Sequence, residues 1–109
     1  MNKPYVKKLG KLKGFTICSI DGEWVRNHLD DAFFAGGHPL YYDFIPDKEI
    51  WIESTIAKKE IIFIVLHELM ENKLMCSGLN YDVAHDLANI IEAAARKHHT
   101  KVNEILSLI

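Results

Sequence analysis

Cysteine is scarce in this 109-residue chain: Cys18 and Cys76 are its only two, too few for a disulfide framework. Proline is scarce as well, at three, and no Pro-, Gly- or Ser-rich stretch or internal repeat divides the chain. No apolar run approaches the ~20 residues a helix needs to cross a bilayer; the longest, Ile61 to Leu66, has six. An excess of charge of one sign is also missing. Thirteen Lys and Arg face 15 Asp and Glu, for a formal net charge of −2, which argues against nonspecific nucleic-acid binding as the main task.

What is present is ordinary globular material, 49% hydrophobic and 26% charged, so a disordered or collagen-like chain is excluded. The length suits one domain, 1–109. The first residues carry Lys3, Lys7, Lys8, Lys11 and Lys13 without the apolar stretch of a secretory signal. Residues 1–13 are expected to form a solvated, frayed basic terminus. With so few cysteines, a reducing cytoplasm is the expected compartment, with no membrane partner.

The first half reads as strands and turns. Phe15–Ile20 alternates apolar and small residues, then Asp21-Gly22 offers a hairpin turn towards a strand at 23–29. Asp30 to Gly37 reads as a loop ending in two glycines. Tyr41–Ile45 and Glu49–Glu53 read as strands about the Pro46-Asp47-Lys48 turn, with Ile50 and Ile52 forming a greasy face that needs a cover. The second half supplies it. Ser54 or Thr55 caps a helix from about Ala57 to Cys76, ended by Gly78. Asn80 caps a second, from Tyr81 to about His98, whose stripe comprises Val83, Ala84, Leu87, Ala88, Ile91, Ala94 and Ala95. Val102, Ile105, Leu106 and Ile109 fit one face of a short terminal helix. The expected fold is α+β: a small antiparallel sheet from the N-terminal half packed against two or three C-terminal helices.

The chemistry concentrates in the string Ile61-Ile-Phe-Ile-Val-Leu-His67-Glu68-Leu69-Met70-Glu71. Residues four apart on a helix lie one turn apart, so His67 and Glu71 point the same way and can share one divalent metal. Glu68, offset by one position, is placed as a general base towards water on that metal rather than as a ligand. A catalytic zinc needs a third protein ligand and an open fourth position. The helices are joined by a short turn at Gly78, which brings His85 back towards the first helix. His67, Glu71 and His85 then form a two-histidine, one-carboxylate set. Asp86 and Glu92 are alternative third ligands, with Asp82 and Asn89 as outer partners. The competing reading is a solvated polar face, but six apolar residues before His67 predict a helix buried nearly all round, where unpaired charge is costly.

The passage Ile50-Trp-Ile-Glu-Ser-Thr-Ile-Ala-Lys-Lys-Glu-Ile-Ile-Phe-Ile-Val-Leu-His-Glu68 resembles the active-site passage of zincin metallopeptidases. It is most similar to the small ImmA/IrrE-type group, associated with phages and mobile elements, which act on repressor proteins. The resemblance covers about a fifth of the chain, Ile50 to Glu71. It implies a zincin-like fold, His67 as a metal ligand and Glu68 as the base, with a protein or peptide substrate. That family's pattern has His where Glu71 stands and a carboxylate on a later helix, where this chain has His85. The extra anion beside Glu68 makes manganese or iron an alternative to zinc.

A rival expectation is a metal-stabilised or metal-free protein-interaction module, such as a phage-encoded inhibitor. Other polar residues read as structural. His38, after Gly36-Gly37, is a turn histidine, with cleft lining as its alternative, and Asp30-Asp31 is a solvated pair. His98-His99 marks a helix end. Trp24, Trp51, Tyr41 and Tyr42 read as sheet packing, Cys18 as a buried small hydrophobe, and Cys76 as no ligand.

Overall fold

A computed structural model describes residues 3–109. The fold is α+β, with a four-stranded sheet in the N-terminal half and packed helices in the C-terminal half. The strands are β1 (Tyr5–Leu12), β2 (Phe15–Ile20), β3 (Gly36–Gly37) and β4 (Glu49–Glu53), in the order β1-β2-β4-β3. The helices are α1 (Gly22–His28), α2 (Ile61–Cys76), α3 (Tyr81–Lys97) and α4 (Lys101–Leu106).

The basic segment expected to fray is the outermost strand from Tyr5 onward; Met1 and Asn2 lie outside the described residues. It pairs antiparallel with β2, Leu12 opposite Phe15. The two residues between them, Lys13 (φ 53°) and Gly14 (φ 83°), both have the positive φ of a primed hairpin turn. The hairpin therefore falls at Lys13-Gly14 and not at Asp21-Gly22. Asp21 instead caps α1, its carboxylate accepting the Trp24 N–H at 3.0 Å, so the expected strand 23–29 is helix to His28, with Leu29 as its C-cap. A Cβ on Gly22 would lie 2.4 Å from Glu53 Oε1, so a larger residue there would have to displace the Glu53 carboxylate from Arg26.

The sheet is mixed where an antiparallel one was expected: β2 and β4 run parallel, joined by the long crossover through α1 and β3. Tyr41–Ile45, expected as a strand, is a run of turns in which the His38 carbonyl accepts the N–H groups of Tyr41 and Tyr42. The Pro46 turn is present, with Lys48 at φ 67° and Glu49 N–H on the Pro46 carbonyl.

Central strand β4 is covered on both faces. Ile50 and Ile52 pack with Ile17 against Val65 and Leu69 of α2. Trp51 packs with Cys18, Ile20, Val25, Phe33 and Ile45 on the other side. Between β4 and α2 the chain makes turns at Ser54-Thr55 and a 3₁₀ turn at Lys58–Glu60, so α2 starts at Ile61 without a side-chain cap. Gly78 (φ 109°) ends the passage from α2, and Asn80 caps α3 by accepting the Val83 N–H at 3.0 Å. Of the expected α3 stripe only Ala84, Ala88 and Ala95 are buried; Val83 and Leu87 remain exposed. Alanines let α3 approach α2 closely, which turns the larger side chains outward. Val102, Ile105, Leu106 and Ile109 close over Phe63, Leu66 and Ala95, as expected of a terminal helix.

Candidate metal centre

Helix α2 is apolar on most of its girth and carries one polar patch, His67, Glu68, Glu71 and Asn72, every member of which is buried. Ionised groups are retained at such a depth only when paired or bound. The patch faces α3, and the turn at Gly78 brings His85 to it. Glu71 Oε2 lies 3.0 Å from His67 Nε2 and 2.9 Å from His85 Nδ1. The imidazole centroids of His67 and His85 are 5.0 Å apart. One donor atom from each of His67, Glu71 and His85 falls within 4.8 Å of the others. The three residues singled out as a ligand set are thus brought together.

The donor set fits a divalent metal. Ligands ~2.0–2.2 Å from a tetrahedral zinc stand ~3.3–3.6 Å from one another, a small outward adjustment from the contacts seen. The other nitrogen of His67 supports the same conclusion. Nδ1 is buried without a hydrogen bond, yet Glu92 Oε1 stands 2.9 Å away, misaligned. A metal-bound imidazole characteristically directs its second N–H to a carboxylate, and Glu92 is placed for it. Glu92 thus stands behind His67, where an outer partner would, and not among the three converging donors. Asp86 and Asp82 are exposed and lie outside the cluster, whereas Asn89 lines the adjoining cleft.

His38, expected in a turn, is completely buried and stands behind Glu71. Its Nε2 is 2.8 Å from Glu71 Oε1, and its Nδ1 accepts the Leu40 backbone N–H at 3.3 Å. Three imidazoles thus converge on one carboxylate. His38, Glu68 and Glu71 also lie within 4.8 Å of one another. A backbone donor on Nδ1 places the ring proton on Nε2, however, so the lone pair a second metal would need there is absent. The glycines before His38 were the signal of this approach: a Cβ on Gly36 would meet Ile64 at 2.9 Å, and one on Gly37 would meet Tyr42 at 2.6 Å.

The two carboxyls are driven apart. Burial opposes ionisation of Glu71, but hydrogen bonds with His38, His67 and His85 outweigh it and hold the group far below the usual carboxylate range. Burial and the neighbouring Glu71 charge push Glu68 up to about 8. Burial lowers His67, but Glu71, Glu68 and Glu92 reverse that and raise it.

Two clefts meet at the cluster. One, of about 230 Å³, is walled by Phe34, Tyr41, Tyr42 and Tyr81 with His67, Glu68, Glu71 and His85 at its base. The other, of about 300 Å³, runs past Phe34 to Asn89, Glu92 and Arg96. Tyr41 stacks on Tyr81 at 4.0 Å, and the Tyr81 hydroxyl lies 3.3 Å from His85 Nδ1. Tyr41 therefore lines the site rather than packing on the sheet, whereas Tyr42 lines the site and also packs, as expected, against the sheet cluster around Trp51. Cys18 is buried beside Glu49, and Cys76 is exposed with its thiol 3.8 Å from Asn72 Oδ1, outside the group of converging donors. Among the described residues no helix is long and apolar enough to cross a membrane. No family model, curated protein or solved structure matches the chain.

Proposed function

We propose that this protein is a metal-dependent hydrolase, a minimal peptidase of the zincin type acting on a protein or peptide substrate in a reducing, cytoplasmic setting. The observation that carries the reading is the convergence of His67 Nε2, Glu71 Oε2 and His85 Nδ1 beside a buried second carboxylate, at the meeting of two clefts. His67, Glu71 and His85 would hold a zinc, manganese or iron ion, which would supply Lewis acidity to a water and to a substrate carbonyl. Glu68, at the base of both clefts, receives the proton of the attacking water and returns it to the leaving amine. Without an ion, burial and the Glu71 charge push Glu68 up to about 8; a cation beside it would lower that value and leave the carboxylate ionised to take the proton. Phe34, 79% exposed on the shared rim, offers apolar contact to a chain laid across the site.

A non-catalytic interaction module is the second reading. Val83, Leu87 and Ile90 (65% exposed) form an unpartnered stripe on α3, a surface suited to a protein partner.

Elemental analysis of chelator-free protein, beside His67→Ala and Glu68→Gln, separates the two readings. The hydrolase reading expects about one equivalent of transition metal in the wild type and in Glu68→Gln. It expects little in His67→Ala. Cleavage of a peptide library should fall by at least ~100-fold in Glu68→Gln, the scale of a general base. A wild type that takes up no metal overturns the proposal.

A further inference from the structure

We infer that His38 is a positioning residue that reserves one oxygen of Glu71 for the metal and thereby sets the coordination number of the site. This rests on the metal-site reading above and extends it to what kind of metal the site accepts.

A glutamate can give one oxygen or both to an ion, and two add a ligand and favour larger, oxygen-seeking cations. In this protein the two oxygens have different occupations. Oε2 is the atom facing His67 and His85. Oε1 is engaged from behind by His38 Nε2 at 2.8 Å. The ring itself is fixed from two directions. Leu40 N–H and the Asn72 amide both approach Nδ1 at 3.3 Å, and Asn72 follows Glu71 directly on α2. Helix α2 therefore grips both nitrogens of the imidazole with consecutive residues.

Because a backbone N–H cannot turn into an acceptor, Nδ1 remains the accepting atom and Nε2 keeps its proton. That N–H donates to Oε1 and draws it away from the cation. Glu71 is left with one free oxygen, and the protein offers three donors and an open position. Such a set suits zinc or cobalt and disfavours manganese, which prefers more oxygen ligands. Since His38 has no exposed surface, water cannot replace its hydrogen bond without opening the core.

The test uses cobalt(II) as the probe, because four-coordinate cobalt absorbs visible light several-fold more strongly than five- or six-coordinate cobalt. Wild type loaded with cobalt should show the intense band. His38→Leu, which fills the volume without a donor, should lose it, and its zinc-over-manganese affinity ratio should fall by about 10- to 100-fold, the range for removing an outer partner. His38→Gln, whose amide can replace Nε2–H, should restore both. A merely structural role would alter stability and leave band intensity and metal preference unchanged. Imidazole ¹⁵N shifts of zinc-loaded wild type provide a check that needs no variant: protonated Nε2 on His38 is expected, and a metal-bound or bare Nε2 overturns the inference. Should wild type bind no cobalt, the hydrolase reading falls with it. Should wild type show the intense band and His38→Leu keep it with the same metal preference, only the role of His38 falls.

Discussion

Glu68 and Glu71 are three positions apart on one helix and carry the same side chain, yet they behave as different acids. Glu71 is met by three imidazoles and stays ionised; Glu68 is buried beside that charge and resists ionising. The consequence for the metal-free protein has a definite sign. The low value of Glu71 contributes stability above the usual carboxylate range, lost as pH falls through the folded value. The raised value of Glu68 does the reverse: the native state keeps a proton that the unfolded chain has released. Stability therefore drops as pH climbs from the ordinary carboxylate range to about 8. Raised His67 adds a loss in the same direction as pH passes its folded value. Urea midpoints of chelated protein are expected to be higher near pH ~6 than near pH ~8.5, and Glu68→Gln should shrink that difference. A chelated wild type equally stable at both would contradict the environment described for Glu68.

His38 shows why part of the site was invisible in the sequence. The i, i+4 spacing of His67 and Glu71, with a short turn leading to His85, is local information and could be read directly. The partner of Glu71 from behind sits 33 residues earlier in the chain, and its burial is decided by tertiary packing of the Gly36-Gly37 approach. No local period encodes that.

At the scale of elements, the same division holds. The α2–α3 pair was legible because its signals are local: Gly78 at positive φ and Asn80 with its side chain on the Val83 N–H. Asn80→Ala should cost about 1 kcal/mol of stability by urea denaturation. Gly78→Ala should cost about as much, since an L side chain is strained at φ 109°. Elements of the first half were misread where short segments satisfy two patterns. Asp21-Gly22 is as good a helix start as a hairpin turn, and the Asp21 carboxylate on the Trp24 N–H selects the helix. Tyr41–Ile45 has strand-forming residues, but the His38 carbonyl draws its N–H groups into turns. Lys7, Lys8 and Lys11 suggested a solvated tail, while strand pairing with β2 holds them at the edge of the sheet.

For the whole molecule, the candidate centre joins segments that are far apart in the chain. His38 follows β3, His67 and Glu71 belong to α2, and His85 to α3. An ion bound there would interact only with the folded chain. With free zinc at about 100 times its dissociation constant, stability should rise by about 2.7 kcal/mol, read as a shift in the denaturation midpoint. His67→Ala should show little of that increment. An equal rise in the variant would place the binding elsewhere.

The sheet has two open ends, and each is built so that it does not adhere to another sheet. Strand β3 has only two residues, too short a rail for a foreign strand to zip along. Strand β1 is long, but its pairing slips register between Tyr5 and Lys7 and again between Lys8 and Gly10. Those kinks interrupt the row of outward amides, and the lysines spaced along it repel a second copy. Resistance to fibril-like self-association is therefore written into the very segment whose charge gave it the look of a loose tail.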